Sequence, residues 1–336
     1  MSDIARRARV SITTVSHAIN NTRPVAQETR DRILRVAREM NYYRNASARL
    51  LVRGRGDSFG LIISDIENPF YPELIKAFQT AAHDSGFDIL LCTTNYDPDD
   101  ARKAVQRMME NRVLGVALMT SQFESALADE LVSHETPAVQ LDAGQVRRAV
   151  SDIHIDYSHG AVQAIAHLRQ LGHRRLALLT GPQGRVSAIT YTNALLEAIT
   201  AAGLPEPVVV EGNARVDGGI EGTRKLLASA NRPTAILCGN DLAAIGALQA
   251  IQEAGLRAPE DVSVIGSDDI SFARYTNPPL TTVRIPRGQL GTQAFRTLLK
   301  MHNSKSRRGI RLTVETELII RRSTGPAARK GKAASS

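Results

Sequence analysis

One pattern limits the fold of this chain more than any other: a strand–helix–strand order that occurs twice. FGLIIS (59–64) leads through a loop into the helical stretch LIKAFQTAAHDSGF (74–87) and the strand DILLCTT (88–94). The same order returns from RLALLTG (175–181), through ALLEAITAAGL (194–204), to PVVVEG (207–212). VLGVALMTS (113–121) likewise echoes PTAILCGND (233–241). Short, fully apolar strands joined by helices are the mark of parallel sheets covered on both faces. A quasi-repeat of such units predicts two parallel α/β subdomains. Ligands of open parallel sheets sit beyond the carboxyl ends of the strands, so two lobes place a ligand in the cleft between them.

The residues just past those strand ends are therefore the cleft candidates. Phe70 and Tyr71 follow the first strand, and can stack on a ring or simply fill the core. Asp142 ends PAVQLD, Arg185 and Ser187 follow LALLTGP, Asn240 and Asp241 follow AILCG, and Asp268 follows VSVIGS. Each alone is a common turn residue. Together they describe a polar cleft with one fixed cation.

The N-terminal segment has another texture. Twelve arginines and four acidic residues lie between Met1 and Gly56, an excess equal to the whole formal charge of +8. A basic segment this concentrated points to a polyanion partner. Ile4, Ala5 and Ala8 predict a short helix over residues 2–8, with a turn at Arg9-Val10. Ser11 can cap a second helix whose Val15, Ala18 and Ile19 share one face. A third begins near Gln27 and turns Ile33, Val36, Ala37 and Met40 inward. This is a helix-turn-helix unit, whose second helix fits the major groove of B-DNA and offers short polar side chains to base edges.

DIARRARVSITTVSHAINNTRPVAQETRDRILRVAREMNYYRNASARLL, from Asp3 onward, resembles the DNA-binding headpiece of the lactose-repressor family of bacterial transcriptional regulators. The resemblance continues through GLIISDIENPFY (60–71), LGHRRLALLTGP (171–182), LCGNDLAAIGAL (237–248), DVSVIGSDD (261–269), ARYTNPPLTTV (273–283) and LIIRRS (318–323). It implies a sequence-specific repressor whose operator affinity is controlled by a small molecule held between two lobes like those of periplasmic sugar-binding proteins. By position, Thr13 and His17 would contact bases, the other reading of His17 being a solvated helix-end histidine. Ser11, Ser16 and Asn20 would touch phosphates or cap, and Thr14 lies on the same DNA-facing helix. Ile12 stands where a purine-binding member has a base-reading threonine. An isoleucine can meet a thymine methyl but cannot hydrogen bond.

Asn45–Leu51 would be the hinge helix, too short to be stable alone. Its Leu51 would wedge into the minor groove, and the small Ala48 would let two hinge helices approach. An ordinary linker staple by Leu50 and Leu51 is the other reading. Arg53-Gly54-Arg55-Gly56 reads as linker. For the core, Asp142, Arg185, Asn240 and Asp268 fall at effector-contacting positions, with Phe70, Tyr71 and Ser187 beside them. The expected bounds are headpiece 1–44, hinge and linker 45–57, core 58–323 and a disordered basic tail 324–336. Within the core the N-lobe takes about 58–156 and 285–314 and the C-lobe about 157–282 and 316–323, with crossings near 157, 283 and 315.

Departures from the family narrow the ligand. Tyr191 stands where the family usually has an arginine that binds ligand hydroxyls. Ala214 and Ala143 replace aromatic residues, which argues against a purine. Arg185 can pair a carboxylate with two parallel bonds, so a sugar, a sugar acid or a related polyol is expected. The family opens its first helix with a threonine cap, whereas only Met1-Ser2 precede Asp3. The missing cap would cost about 1 kcal/mol, and translation is expected to start a few codons upstream.

Other classes find little support. HExxH, CxxC, P-loop and GxSxG motifs do not occur, so no catalytic residue, metal ligand or cofactor is assigned. His154-Ile155-Asp156 suggests acid–base chemistry only on paper, because it ends a strand entering the second lobe. Cys92 and Cys238 lie in apolar runs and read as reduced core thiols. MSDIARRARV has no signal-peptide pattern and no stretch is apolar enough to span a bilayer, so a cytoplasmic protein is expected. The tail RRSTGPAARKGKAASS carries no leucine heptads of the kind that make tetramers in the family it resembles, so the resemblance implies a homodimer.

Overall fold

The computed structural model describes residues 1–20, 23–42, 57–120, 125–304 and 306–328. They fall into two units that divide between Gly56 and Asp57.

In the first unit, α1 (Ser2–Ala8), α2 (Ile12–Asn20) and α3 (Gln27–Glu39) enclose a small core. Ile4, Ala5, Ala8, Val15, Ala18, Ile19, Ile33, Val36 and Ala37 are all buried in it. The chain leaves α1 through a left-handed Arg9 (φ 53°), whose N–H reaches back to Ala5 and Arg6 carbonyls. Met1 occupies the cap position of α1 and makes no side-chain capping bond. Met40 corrects the expected inward stripe: it is 36% exposed. The helix stops at Glu39 and Asn41 turns left-handed (φ 48°). Tyr42 then folds back, its N–H on the Ala37 carbonyl, and packs on the core in place of Met40.

The second unit holds two six-stranded sheets. The N-lobe sheet has the order β11-β5-β4-β3-β1-β2, from β1 (Ser58–Ile63), β2 (Asp88–Thr93), β3 (Val116–Met119), β4 (Ala138–Leu141), β5 (Val150–Asp156) and β11 (Arg311–Glu315). The C-lobe sheet has the order β12-β10-β9-β8-β6-β7, from β6 (Leu176–Thr180), β7 (Val208–Glu211), β8 (Ala235–Cys238), β9 (Ser263–Asp268), β10 (Thr281–Arg284) and β12 (Glu317–Ile319). Every pairing is parallel except β10 with β12. The inner strands are buried on both faces, as their unbroken apolar sequences require.

In the N-lobe, α4 (Tyr71–Asp84) packs beside α11 (Arg287–Asn303), and α5 (Pro98–Glu110) beside α6 (Ser125–Ser133). Gly291 sets the first approach, because a Cβ there would lie 2.2 Å from the Leu74 carbonyl oxygen. In the C-lobe, α7 (Tyr157–Gln170) packs on α8 (Val186–Ala201), and α9 (Val216–Leu227) on α10 (Asp241–Glu253). The chain passes between sheets at Asp156–Tyr157, between Arg284 and Arg287, and at Thr316. Thr316 ties two of these passes together: its hydroxyl donates to the Asp156 carbonyl (2.7 Å) and accepts from the Gly160 N–H (3.0 Å).

The C-terminal residues correct the expected tail. Disorder was expected from residue 324, yet the Gly325 N–H donates to Ser263, the Gly325 carbonyl meets His173, and the Ala327 N–H donates to Leu171. Ser263, His173 and Leu171 belong to the C-lobe, so the chain stays fastened to it beyond Ser323.

Candidate functional site

Helix α2 offers one outward face. Its first turn is closed by Ser11, whose Oγ accepts from the Thr14 N–H at 3.0 Å and lies 2.8 Å from the Thr14 hydroxyl. Ser11 and Thr14 are thus partly occupied with each other. Ile12 and Thr13 stand free of the headpiece core, Ile12 at 55% exposure. An isoleucine so placed gains nothing from its own domain, and water is a poor neighbour for it. Ser16 and His17 are half-buried further along the helix. The side chain of Asn20, and all of Ala48 and Leu51, lie outside the described residues.

The second site lies between the lobes, where strand ends from both sheets face a cavity of about 100 Å³. Phe70, Tyr71, Arg185, Ser187, Tyr191, Asn240 and Asp268 all line it. Asx turns and helix starts set the N-lobe side. The Asn68 Oδ1 accepts from the Phe70 N–H at 3.0 Å, and the Asn68 carbonyl from the Tyr71 N–H, so both rings enter at the start of α4. Tyr96 follows β2 in a left-handed backbone (φ 60°) just before Asp97, which caps α5.

The C-lobe side is more polar. Arg185 precedes α8, and its guanidinium lies 3.6 Å from the centre of the Tyr96 ring, a cation–π contact across the lobes. Among the described residues no carboxylate pairs with Arg185. Ser187 and Tyr191 are one turn apart on α8 and share a face. The Tyr191 ring lies 5.6 Å from that of Tyr157, and its buried hydroxyl has Ser267 within reach but completes no well-formed hydrogen bond. Burial holds the Tyr71, Tyr157 and Tyr191 hydroxyls well above the ordinary tyrosine range, so they remain protonated donors.

Asp268 ends β9 in a strained backbone conformation (φ 115°). Arg287 holds it there: its guanidinium donates to the Asp268 and Asp269 carbonyls and pairs with Glu73 of α4 at 2.6 Å. The Asp268 carboxyl is buried, and among the described residues no group donates to it. Burial, and then the charge of Asp241, push its pKa well up. Asp241 itself is raised to about 7 by burial; it accepts from Thr282 at 2.5 Å and from the Ile270 N–H at 2.8 Å.

Two of the residues chosen from sequence are occupied elsewhere. Asn240 lines the cavity, but its amide caps α10 at Ala243 (2.9 Å) and binds the Ala214 carbonyl (2.8 Å). Asp142 is not in the lining; it stands behind Leu141 and Ile155, which are. One oxygen accepts from the Ile155 N–H (2.7 Å) and meets His154 (3.1 Å); the other is buried without a partner. Burial raises this carboxyl to about 6, against the pull of the Ile155 N–H. His154 is thereby part of a strand-end contact, and Asp156 caps α7, which accounts for both without chemistry.

The cavity is aromatic all the same. Ala143 and Ala214 do lack rings, but Phe70, Tyr71, Tyr96, Tyr157 and Tyr191 wall the cavity from other positions. Tyr96, Tyr157 and Asn68 were missed in the sequence. The strand-end rule applied to β2 would have found Tyr96, and applied to β5 would have found Tyr157. Among the described residues no cluster of metal-ligating side chains occurs, and no helix is long and apolar enough to cross a membrane.

Comparison with known proteins gives the same two parts. Residues 1–45 match bacterial regulatory proteins of the lacI family, and residues 165–324 match a periplasmic binding protein-like domain. The chain is 34% identical over 327 residues to the HTH-type transcriptional repressor PurR of Photorhabdus laumondii, covering 96% of each chain. It is 35% identical to the repressor PurR of Mannheimia succiniciproducens, over 96% of this chain and 98% of that one. Among solved structures, the lac repressor dimer bound to operator and the anti-inducer ONPF matches with a TM-score of 0.84 at 28% identity, over 96% of this chain and 98% of that one. A complex of the transcriptional regulator CelR with cellobiose matches with a TM-score of 0.74 at 29% identity, over 95% and 98% of the two chains.

Proposed function

The chain belongs to the lacI family of bacterial regulatory proteins, as a DNA-binding repressor with an effector-binding core and not an enzyme, and on that premise we propose that its effector is a small polyol carrying an acid group. The observation that carries this reading is a set of polar groups left without partners in one cavity. Arg185 has no carboxylate, the buried Tyr191 hydroxyl has only Ser267 within reach and completes no well-formed bond to it, and the Asp268 carboxyl has no donor among the described residues. Buried polar groups left unpaired cost about 1–3 kcal/mol each. A ligand with hydroxyls for Tyr191 and Asp268 relieves the buried groups, and one with an anionic end gives the half-buried Arg185 a charge partner that the Tyr96 ring does not supply. Ser187 and the rings of Phe70 and Tyr71 complete the enclosure, with Asp142 supporting it from behind.

Isothermal calorimetry with a panel of sugar acids and their neutral sugars tests this. We expect acid-selective binding that Arg185→Ala weakens by about tenfold or more, the worth of a charge-assisted bond. Equal affinity for acids and neutral sugars refutes it. The five aromatic walls favour a second reading, a flat heterocyclic base, and the same titrations with purine bases decide between them.

At the other end, Thr13 and His17 read bases in the major groove, Ile12 meets a thymine methyl, and Ser11, Thr14, Ser16 and Asn20 position the helix on phosphates. Ala48 and Leu51 act in the hinge within residues 45–57. The repressor works in the bacterial cytoplasm as a homodimer, and two headpieces read a pseudo-palindrome. The solved lac repressor dimer on its operator supports that assembly. Effector and operator are coupled through the lobes, typically by 1–3 kcal/mol. Selection of sites from random duplex DNA should enrich a pseudo-palindrome with a deformable central step. Enrichment of no motif, with and without a metabolite mixture, would remove the reading.

A further inference from the structure

The cavity between the lobes has a mouth of unusual chemistry. Arg215, at the start of α9, reaches across from the C-lobe to Asp65 in the loop after β1, with Nη2 and Oδ2 at 2.9 Å. Its other terminal nitrogen lies 3.7 Å from Glu67. Asp65 is only 11% exposed, whereas Arg215 is 54% exposed and marks the solvent side.

Both ends of this contact are fixed. Asp65 closes an Asx turn, its Oδ1 accepting from the Glu67 N–H at 2.9 Å. On the other lobe the Arg215 N–H donates to Asn213 Oδ1 at 2.9 Å, and the preceding Ala214 carbonyl is bound by Asn240. An ion pair between two fixed loops is a distance constraint between lobes, not a loose surface contact. Arg185 over Tyr96 forms a second tie alongside it. The space that Arg215 and Asp65 share with Tyr96, Arg185 and Ala214 amounts to about 30 Å³. That is room for a water or two and too little for a metabolite.

We propose that the Arg215–Asp65 pair is a latch that ties the two lobes together at the mouth of the cleft and sets which molecules reach the cavity. A single-ring metabolite passes when the latch opens and is enclosed when it closes. A longer ligand that protrudes through the mouth displaces Arg215 and is disfavoured. This selectivity rests on the cavity being the effector site; the latch itself does not.

The test needs no effector. In full-length protein carrying Cys92→Ser, a reporter thiol is placed in the cavity by Ser187→Cys, and Cys238 stays buried in its strand. Labelling is followed with neutral methanethiosulfonates, one methyl and one benzyl. Arg215→Asp sets a like charge against Asp65 and Glu67 and should speed labelling about fivefold or more, with the benzyl reagent gaining most. The charge-swapped pair Asp65→Arg/Arg215→Asp should return both rates toward the parent's. High salt should speed labelling of the parent and of the swapped pair, slow it in Arg215→Asp by screening the repulsion, and leave Arg215→Gln, which has no pair to screen, nearly unchanged. A rate unchanged in Arg215→Asp, or one that the swap leaves raised, overturns the latch. A failed titration with sugar acids removes the effector reading and leaves these rates to be judged separately.

Discussion

The headpiece and the interlobe cleft solve opposite problems. The headpiece buries nine apolar side chains and turns its polar ones outward on α2. The cleft does the reverse, drawing Asp241, Asp268, Asp269, Asn240 and Arg287 out of water and holding most of them in mutual hydrogen bonds. A DNA-reading surface needs only a stable platform, because its partner brings the charge. A cleft for a small polar molecule must prepay desolvation and keep some groups unpaired until the ligand comes.

The largest expected effect separates the two by stability. Ile33→Ala, in a core of nine residues, should cost the headpiece about 2–5 kcal/mol. Calorimetric scanning should then show the headpiece melting earlier while the core transition stays in place; a common shift of both would show that they unfold as one.

The core that carries the cleft should respond to pH. Burial raises the Asp142 carboxyl to about 6, so the folded core holds this proton more tightly than the unfolded chain does. Its stabilising contribution is complete below about pH 4, the ordinary aspartate value, and is lost as pH rises through 6. Asp241, raised to about 7, acts in the same direction. Core stability should therefore fall between about pH 4 and 7. Asp142→Asn should remove the part below 6, on the order of 2–3 kcal/mol at about 1.4 kcal/mol per pKa unit. Parallel denaturant curves for wild type and Asp142→Asn across that range check this, and a wild-type core of constant stability refutes it.

On α2, Thr13→Ala should cost about 1–3 kcal/mol of discrimination at one base pair and leave the melting temperature alone; loss spread evenly over all sequences would reassign Thr13 to phosphate. Ser11→Ala removes a cap and should lower headpiece stability by about 1 kcal/mol. No change would mean that Thr14 caps the turn unaided.

Local pattern announces the class of fold and the make-up of the headpiece core. Helical spacing named every buried headpiece residue but misplaced Met40, because where a helix stops depends on a left-handed residue, here Asn41, that periodicity does not register. The apolar strand runs and their repetition announced two parallel sheets, since a strand buried on both faces must be apolar throughout. Strand ends pointed to six residues that line the cavity, and the family resemblance added Tyr191. What these residues are free to do depends on how the two lobes meet. It gave Asn240 to a helix cap, moved Asp142 behind the wall, and brought Tyr96 under Arg185 and Asp65 beside Arg215 from the other lobe. Burial and hydrogen bonding follow local pattern, whereas the pairing of groups about 90 and 150 positions apart is fixed by how two sheets face each other.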